Sequence, residues 1–546
     1  MPDHQQVADA EKEFFLTTGT PAFEQLFYGE GIRVHKKEGT SILIEGDAGL
    51  GKTTLALQLA ATAVDKGDTS CLYYSFEQST RELGEMISAY GWGIDEHVEA
   101  HAWRGENISF GRRFNLIDAH EVIGLNVDAT LDNIERHSRG VSERFRYLSP
   151  IIVLDSIGAI EELTTLERRH LGRLIGRLNR WNAILILVRE KRATSDPVPS
   201  EYLTNVVIDL QAEHSMLRIV GSTGGLSYPA SIPRNLLELK KTRNQRAHRG
   251  PHEFSIVAGS NQQRGGIVVF PSLQSIAARG DEAIGTPIDL EEIKGEKRAL
   301  FGIPRLDERL GHIDKEGTLS PGMPFGQSLL VKGLPGSLKT ELGVQFLLQA
   351  LDQKDESEVL FVSCRIDRFA LEGLEIYSSP EEKTEFLGKN LRFIDARHPY
   401  RTPEQVMASI VQAVEENEPI IRRAVIFGIG MLDTLPAFQR NALPFLQVLS
   451  GYFRQRRVSG LFIDWPRPHE ERNLAGPLIR PTELAGDFVA GALEIDKGPR
   501  TKQRKGVPAG RPITLVRKDH RFIDELLGYL SLNNHRCVIQ EKVQHD

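Results

Sequence analysis

A glycine-rich segment early in the chain has the residue types and spacing needed to hold the phosphates of a nucleotide. It runs Gly46-Asp47-Ala48-Gly49-Leu50-Gly51-Lys52-Thr53 and continues with Thr54. An apolar, strand-length run precedes it, and a helical pattern follows over Leu55–Val64. In this Walker A arrangement, glycines let backbone N–H groups approach the anion, the lysine bridges the β- and γ-phosphates, and the threonine hydroxyl binds Mg²⁺. The alternative is a plain glycine turn between a strand and a helix. The complete motif in this context favours an ATP site.

Two carboxylates stand where such a site needs them. Asp155 ends the apolar run Ile151–Leu154, and Glu77 follows the predicted strand Leu72–Phe76. An acidic residue at a strand end can hold the Mg²⁺ hydration shell, and a second can polarise the attacking water. Alternatively, Asp155 forms a turn and Glu77 is a surface residue at the start of a helix, where Ser79-Thr-Arg-Glu82 is typical of a capping box. The sequence leaves the role of Glu77 open between these two.

The two halves of the chain repeat one another. Five segments recur in order: Gly19–Leu26 with Gly302–Leu310, Gly46–Thr53 with Gly333–Thr340, Cys71–Ser75 with Val359–Ser363, Ile151–Leu154 with Ala424–Phe427, and Leu237–Lys241 with Leu493–Lys497. Strand-length apolar runs alternate with helical patterns in each half, which predicts a mostly parallel sheet flanked by helices. We therefore predict two α/β domains, at residues 1–277 and 299–546, joined by a polar linker at 278–298.

The second half keeps only part of the chemistry of the first. Its loop retains Gly333, Gly336, Lys339 and Thr340. The substitutions are Leu338 in place of Gly51, Arg365 in place of Glu77 and Gly428 in place of Asp155. Asp433 and Asp367 lie nearby, but such sites demand tight placement, so we do not expect them to substitute. The second half is therefore predicted not to hydrolyse ATP, although it could still hold a nucleotide.

Composition excludes several classes of protein. The chain has 546 residues, a net charge of -7 and three cysteines, and its pI is about 6.2. The acidic balance does not favour a protein that coats nucleic acid, although a basic patch could bind it locally. No apolar run approaches the roughly 20 residues of a membrane span. The N-terminus has no secretory pattern, and the cysteines suit neither a disulfide framework nor a metal site. A cytoplasmic protein with no membrane association is expected.

Taken together, these residues resemble the KaiC family of ring-forming, RecA-like P-loop ATPases. The resemblance rests on the entry segment before the Walker A loop, on the Walker B strand end, and on several shorter matches. These matches are Ser75-Phe-Glu-Gln78, Tyr90-Gly-Trp92, Leu154-Asp-Ser-Ile157, Leu237-Glu-Leu-Lys-Lys-Thr-Arg243, and Gly266-Ile-Val-Val-Phe-Pro271. It covers nearly the whole chain, strongly over residues 15–275 and weakly over 297–525.

The resemblance implies roles for particular residues and an assembly. Glu77 would be the water-activating base, and Lys52, Thr53 and Asp155 would bind phosphate and Mg²⁺. Lys241 and Arg243 would act in trans on the ATP of a neighbouring subunit in a homo-oligomeric ring, a hexamer in this family. A solvated basic loop or a nucleic-acid loop over Lys240–Arg249 are the alternatives.

This chain also departs from the family at two places. The family's pair of adjacent glutamates is here Glu77-Gln78. Around Pro481–Asp487, where clock proteins phosphorylate themselves, Thr482 is the one hydroxyl residue, so no clock-type phosphorylation cycle is expected.

Three functions remain at this point. The favoured one is an energy-using switch, in which ATP hydrolysis in the first domain controls a ring that acts on a protein partner in signalling, clock-like or defence assemblies. The second is a DNA-acting motor or recombinase, kept open by the basic loops Lys240–Arg249 and Arg500–Arg511. The third is a nucleotide-gated regulator with little turnover. Nucleic acid is a possible but not a favoured partner.

Overall fold

A computed structural model describes most of the chain in separate stretches. The described residues are 14–35, 39–67, 69–102, 110–120, 127–145, 150–157, 168–179, 183–191, 199–220, 227–260, 264–283, 298–313, 317–333, 336–352, 358–398, 401–415, 421–438, 441–464, 491–495, 511–518 and 521–540.

The first half is an α/β unit of twelve strands and seven helices within these stretches. Its strands are β1 (Phe14–Leu16), β2 (Ile32–Val34), β3 (Thr40–Gly46), β4 (Cys71–Ser75), β5 (Val98–Ala102), β6 (Phe114–Asp118), β7 (Ile151–Asp155), β8 (Ile184–Glu190), β9 (Val206–Val220), β10 (Ser227–Thr242), β11 (Pro251–Val257) and β12 (Gly266–Phe270). Its helices are α1 (Pro21–Gln25), α2 (Lys52–Asp65), α3 (Thr80–Tyr90), α4 (Val127–Arg144), α5 (Arg168–Asn179), α6 (Pro199–Leu203) and α7 (Leu273–Ala283).

Ten of these strands form one sheet in the order β12-β11-β10-β9-β3-β8-β7-β4-β6-β5. The strands from β9 to β5 are parallel where they pair, and β10, β11 and β12 are antiparallel. Parallel strands joined by helices bring their carboxyl ends to one edge of the sheet, which is where ligands bind in such folds. The loops after β3, β4 and β7 therefore meet at that edge.

Both faces of this sheet are buried, as a parallel sheet requires. Along β3, Ile42 and Ile44 belong to one core cluster, which includes the buried side chains of α2. Leu43 points to the opposite face and packs in a second cluster with Ile134 of α4 and Leu178 of α5. The alternation explains why the centre of β3, Ile42–Ile44, is apolar on both faces, and it places the Walker A segment at the end of a buried central strand.

The second half repeats this architecture. Its strands are β13 (His312–Ile313), β14 (Leu319–Ser320), β15 (Ser328–Gly333), β16 (Val359–Ser363), β17 (Leu391–Asp395), β18 (Arg423–Phe427), β19 (Ser459–Asp464), β20 (Gly491–Ile495), β21 (Arg511–Lys518), β22 (Arg521–Asn533) and β23 (Arg536–Gln540). Its helices are α8 (Pro304–Leu310), α9 (Lys339–Asp352), α10 (Arg368–Glu372), α11 (Pro380–Glu385), α12 (Pro403–Glu415) and α13 (Ala442–Gln455). Nine strands form a sheet in the order β17-β16-β18-β19-β15-β20-β21-β22-β23.

The predicted fold class is confirmed: the chain carries two α/β units, each with a large, mostly parallel sheet flanked by helices. By internal contacts the units are Met1–Ser215 with Ser231–Ser275, and Ile276–Asp546 with Met216–Ala230. The predicted boundaries at 277 and 299 stay a prediction. Helix α7 extends to Ala283, so the first part of the predicted linker is helical, and residues 284–297 lie outside the described stretches. Among the helices described, none is long and apolar enough to cross a membrane.

Two of the five matched pairs of segments need correction: Ile151–Leu154 with Ala424–Phe427 is shifted by one residue, and the last pair joins strands that are not counterparts. We paired Leu237–Lys241 with Leu493–Lys497, but these segments lie on strands that occupy different places in their sheets. Strand β20 pairs in parallel with β15, just as β9 pairs with β3. The counterpart of β10 is therefore β21, which lies next to β20 as β10 lies next to β9. Arg517 and Lys518, not Lys497, close the strand that corresponds to the one ending Lys240-Lys241-Thr242.

Candidate nucleotide site

The Walker A segment forms a tight loop between β3 and α2. Gly51 is the N-cap of α2 and adopts a left-handed backbone with φ of 85°. A Cβ there would lie 2.6 Å from Cδ1 of Ile256, so the position is closed to larger residues on both counts. Leu50 is buried and anchors the loop in the core. The loop thus presents its backbone, rather than side chains, at the start of a helix, which suits an anion.

Lys52 and Thr53 open helix α2 at this edge of the sheet. The Lys52 Nζ donates a hydrogen bond to the backbone carbonyl of Asp47, 2.7 Å away, so the ammonium group folds back over the loop. The Thr53 side chain hydrogen-bonds the carboxylate of Asp155. The two residues predicted to bind phosphate and Mg²⁺ are therefore adjacent to the predicted Walker B carboxylate.

Asp155 is the last residue of β7 and is almost fully buried. In the parallel register it lies opposite Ser75 of β4. The hydroxyl of Tyr73 donates to its Oδ2 at 2.5 Å. Burial raises the pKa of Asp155, while the hydrogen bonds from Tyr73 and Thr53 and the charge of Lys52 oppose that rise. Tyr73 holds the carboxylate in place. An aromatic residue in an apolar strand is the only local signal of this contact in the sequence.

Glu77 lies two residues beyond β4 and is exposed at the carboxyl edge of the sheet. The predicted capping box is present, but it is formed by Ser79 and Glu82, with Glu82 Oε2 accepting from the Ser79 backbone N–H at 2.9 Å. Glu77 takes no part in that box. Its charge contributes to the raised pKa of Asp155, which indicates that the two carboxylates are close.

These residues surround one cavity of about 300 Å³. The predicted residues that line it are Ala48, Gly49, Gly51, Lys52, Thr53, Thr54, Glu77 and Asp155. Gly46, Asp47 and Leu50 shape the loop but do not line the cavity. Four residues that line the cavity were not predicted from the sequence: Met86, Ser156, Glu190 and Ile256. Gln78 also lines it, although the sequence analysis named it only as the residue that replaces the family's second glutamate. Glu190 ends β8 beside β3, so its strand-end position could have indicated it, whereas Ile256 on β11 carried no such signal.

A nucleotide and its Mg²⁺ fit this donor set. Glycine N–H groups at a helix start and a lysine suit phosphate oxygens, and a hydroxyl beside a carboxylate suits Mg²⁺. The approach to the loop is open at Gly49, where a Cβ would meet nothing within 4 Å.

Lys241 and Arg243 lie elsewhere in the unit and do not line the cavity. Lys241 Nζ donates to the backbone carbonyls of Glu201 at 2.7 Å and Tyr202 at 3.0 Å. Arg243 donates to the Tyr202 carbonyl at 2.8 Å. Desolvation lowers the pKa of Lys241, and the neighbouring Arg243 charge adds to the effect. Both cations are thus held by the end of helix α6.

An ion network with a buried centre joins β3, β8, β9 and β10. Glu45, directly before the Walker A segment, pairs with Arg189 and, at 3.0 Å, with Lys240. Lys240 also contacts Asp209 at 2.7 Å, and Lys191 contacts the same carboxylate at 3.0 Å. Glu45, Arg189 and Asp209 are each at most 3% exposed in their side chains. The carboxylates raise the pKa of Lys240 well above its usual value against the opposing effect of desolvation.

The second half lacks both acidic functions, but one of our assignments was off by one residue. Ser363 lies opposite Phe427 in the register in which Ser75 lies opposite Asp155. The backbone N–H of Cys364 donates to the Phe427 carbonyl, just as that of Phe76 donates to the carbonyl of Asp155. The residue in the place of Asp155 is therefore Phe427, and Gly428 corresponds to Ser156. The same register keeps Arg365 in the place of Glu77.

The remaining positions of the second loop are partly described. Gly336 has φ of 75°, close to the 77° of Gly49, and Leu338 has φ of 66° in the place of Gly51. Lys339 is buried at the start of α9. Asp367 caps helix α10 by accepting from the Ala370 N–H at 2.9 Å, so its carboxylate is already engaged. The side chain of Asp433, together with Thr482, Lys497 and Arg500, lies outside the described residues.

Comparison with known proteins gives one consistent family. The family model described as "ATPase: KaiC" matches residues 16–274. The chain is 24% identical over 457 residues to the circadian clock oscillator protein KaiC of Prochlorococcus marinus strain MIT 9313, covering 82% of this chain and 79% of the relative. It is 23% identical over 472 residues to the protein of that name from Synechococcus elongatus, covering 84% and 77%.

The match to the family model begins just before α1 and ends in α7, so it spans the whole cavity-bearing unit, and the relatives extend over both halves. A P-loop, a strand-end aspartate and a duplicated mostly parallel sheet are the features that the family resemblance implied. The first half of the chain therefore carries a KaiC-type ATPase domain, and the similarity to proteins named KaiC extends over both halves.

Proposed function

We propose that this protein is an ATP-hydrolysing KaiC-family ring whose first domain is the active site and whose second domain is catalytically inactive. The single observation that carries the proposal is the convergence of Lys52, Thr53, Glu77 and Asp155 on one cavity. These residues come from three separate segments of the chain, and together they supply a phosphate clamp, a metal-binding pair and a base.

Each residue has a distinct task in hydrolysis. The loop N–H groups and Lys52 bind and orient the phosphates. Thr53 and Asp155 would hold Mg²⁺, which when bound neutralises charge on the β- and γ-phosphates. Tyr73 fixes the rotamer of Asp155. Glu77, exposed at the mouth of the cavity, accepts a proton from the attacking water as that water meets the γ-phosphate.

A ring explains why Lys241 and Arg243 lie outside the cavity of their own unit. Held by the Glu201 and Tyr202 carbonyls at the end of α6, they are available to the ATP of an adjacent copy. Cations supplied in trans neutralise charge in the transition state and make hydrolysis depend on assembly. A homo-oligomeric ring, hexameric as the resemblance implies, is therefore part of the proposal.

The second domain is proposed to be a nucleotide-binding or structural relic. Phe427 and Arg365 replace the carboxylates, so neither the metal shell nor the base is provided. Lys339 and Thr340 remain and could support weak nucleotide binding without turnover. The acidic net charge favours a protein rather than a nucleic acid as the partner on which this ATP-driven switch acts.

The test is steady-state ATP hydrolysis and nucleotide binding by the full chain. Lys52→Ala and Asp155→Ala are expected to abolish turnover, and Glu77→Gln is expected to keep nucleotide affinity while slowing hydrolysis about 10²-fold or more. The exposed Glu85→Gln on α3 is the matched control and should hydrolyse ATP at the parent rate. Parent-level turnover in Lys52→Ala or Asp155→Ala would refute the site. Parent-level turnover in Glu77→Gln would move the base elsewhere.

A further inference from the structure

A histidine that the hydrolysis mechanism does not use lies beside Glu77. Strands β6 and β4 are parallel neighbours, with Asp118 opposite Ser75, and the Ala119 N–H donates to the Ser75 carbonyl at 2.8 Å. The chain that leaves β6 therefore runs alongside the chain that leaves β4. His120 comes two residues after β6, as Glu77 comes two residues after β4.

The imidazole of His120 contacts both its own strand end and Glu77. Its Nδ1 lies 2.7 Å from Oδ1 of Asp118, whose carboxylate also accepts from the His120 backbone N–H at 3.2 Å. The backbone carbonyl of Glu77 lies near the same imidazole and contributes to raising its pKa. From α3, the Glu82 carboxylate also faces the ring, although it is hydrogen-bonded to Ser79.

The residues on both sides of Glu77 are held by hydrogen bonds, and on the side of β4 the N–H of the buried Phe76 donates to the Asp155 carbonyl at 2.7 Å. Ser75 Oγ donates to the Gln78 carbonyl at 2.6 Å and accepts from its N–H at 3.0 Å, and Ser79 begins the capping box of α3. The side chain of Glu77 is exposed, so packing does not hold it, and its position depends on its backbone. The contact from His120 falls on the carbonyl of Glu77 itself.

We propose that His120, held by Asp118, is a positioning residue that fixes the backbone of Glu77 at the mouth of the nucleotide cavity. This inference rests on the proposed role of Glu77 as the base. A shift of about 1 Å in a catalytic group can cost up to about 10²-fold in rate, so a single contact on the Glu77 carbonyl is enough to matter.

The arrangement makes the contact sensitive to pH. The two partners, a carboxylate and a carbonyl, only accept, and an imidazolium has two N–H donors where neutral imidazole has one. The pKa of His120 is raised, and the hydrogen bond to Asp118 is the largest cause. Partial burial lowers this pKa, whereas the Glu77 carbonyl and the charges of Asp118 and Glu82 raise it further. The contact is therefore complete below the ordinary pKa of histidine and is lost as the pH rises through the raised value.

The experiment is the pH–rate profile of ATP hydrolysis by the full chain at saturating ATP. The parent is expected to lose turnover on the alkaline side as His120 is deprotonated. His120→Ala should lower kcat about 10-fold at neutral pH, should leave ATP affinity within about twofold, and should remove that alkaline limb. His120→Gln keeps one neutral donor, so it should recover part of the rate with no alkaline limb. Asp118→Asn should move the limb to lower pH, because it removes the charge that favours the imidazolium.

The exposed His312 of β13 supplies the control, and His312→Gln should keep the parent rate and profile. Thermal melts and nucleotide affinity check that each variant is folded. If Glu77→Gln is slow while both His120 variants keep the parent kcat and profile, the inference is refuted and the proposed function stands. If Glu77→Gln hydrolyses ATP at the parent rate, the proposed base is wrong, whatever the His120 variants do.

Discussion

Replacing Arg189 by methionine is expected to destabilise the first unit by about 3 kcal/mol. The Arg189 side chain is 3% exposed and bridges Glu45, 1% exposed, to Glu201 of α6 at 3.2 Å. Methionine fills a similar volume but leaves the Glu45 carboxylate buried without its guanidinium. Breaking a buried pair typically costs about 3–5 kcal/mol. The lower figure applies here because Lys240 still contacts Glu45 at 3.0 Å.

Tryptophan fluorescence during urea unfolding can follow this change. Three of the four tryptophans, Trp92, Trp103 and Trp181, lie in the first half of the sequence, and Trp92 is buried there. With a urea dependence of roughly 3 kcal/mol per molar, the first transition should move down by about 1 M. The matched control is Arg81→Met, which removes an ion pair whose side chains are 88% and 65% exposed and should leave the midpoint unchanged.

A double variant distinguishes the effect of leaving the buried Glu45 carboxylate without its partner from the effect of lost packing. Arg189→Met with Glu45→Leu removes both charges of the pair, while Lys240 keeps Asp209 as a partner at 2.7 Å. Replacing a buried pair by apolar groups is often close to neutral, so the double variant should be more stable than Arg189→Met alone. If Arg189→Met unfolds at the parent midpoint, or if the double variant is the less stable of the two, the buried-charge argument is wrong.

Two further predictions concern the assembly. Lys339→Ala should leave turnover per assembled chain unchanged, measured with oligomeric mass in the same sample, and loss of about half the turnover in an intact assembly would show an active second site. Arg243→Ala should bind ATP without hydrolysing it. An equimolar mixture of Arg243→Ala and Lys52→Ala should hydrolyse ATP, although neither variant does so alone, because the Lys52→Ala chain supplies Arg243 to the intact site of its neighbour. Absence of recovery in a mixture whose subunits are shown to exchange would exclude action in trans.

Local sequence signals located the central strands and the phosphate loop well. The repeated segments Cys71–Ser75 and Val359–Ser363 match β4 and β16 residue for residue, whereas the strand predicted directly before Glu77, Leu72–Phe76, is shifted by one residue. These strands are buried on both faces, so an unbroken apolar run marks them. The Walker A loop was equally visible, because its glycines, lysine and threonine are consecutive in sequence and need no tertiary information.

Features that depend on pairing between distant strands were not visible. Leu237–Lys241 and Leu493–Lys497 share the same apolar alternation, and only their sheet partners distinguish β10 from β20. The one-residue error at Gly428 has a related origin. Asp155 ends its strand with a carboxylate, whereas Phe427 continues the apolar pattern, so the strand end moved by one residue in the alignment. The contact of Tyr73 with Asp155 joins residues 82 apart and leaves no local pattern.

The network around Glu45 shows which properties the duplicated fold has kept and which it has lost. In the first unit, Glu45 has Arg189 and Asp209 as its register partners on the two flanking strands. The corresponding residues in the second unit are Lys332, with Asp464 and Glu494 as its partners. The central charge has reversed sign, yet each central residue still has an opposite charge beside it, on β8 in the first unit and on β19 in the second.

Charge complementarity at these positions can be met by either sign, because it serves only to place opposite charges side by side. The roles proposed for Asp155 and Glu77 cannot be taken by Phe427 and Arg365, because phenylalanine has no oxygen ligand for a metal and arginine stays protonated. The second unit has thus retained what the sheet needs and lost what hydrolysis needs, which is the physical reason to expect a folded but inactive copy.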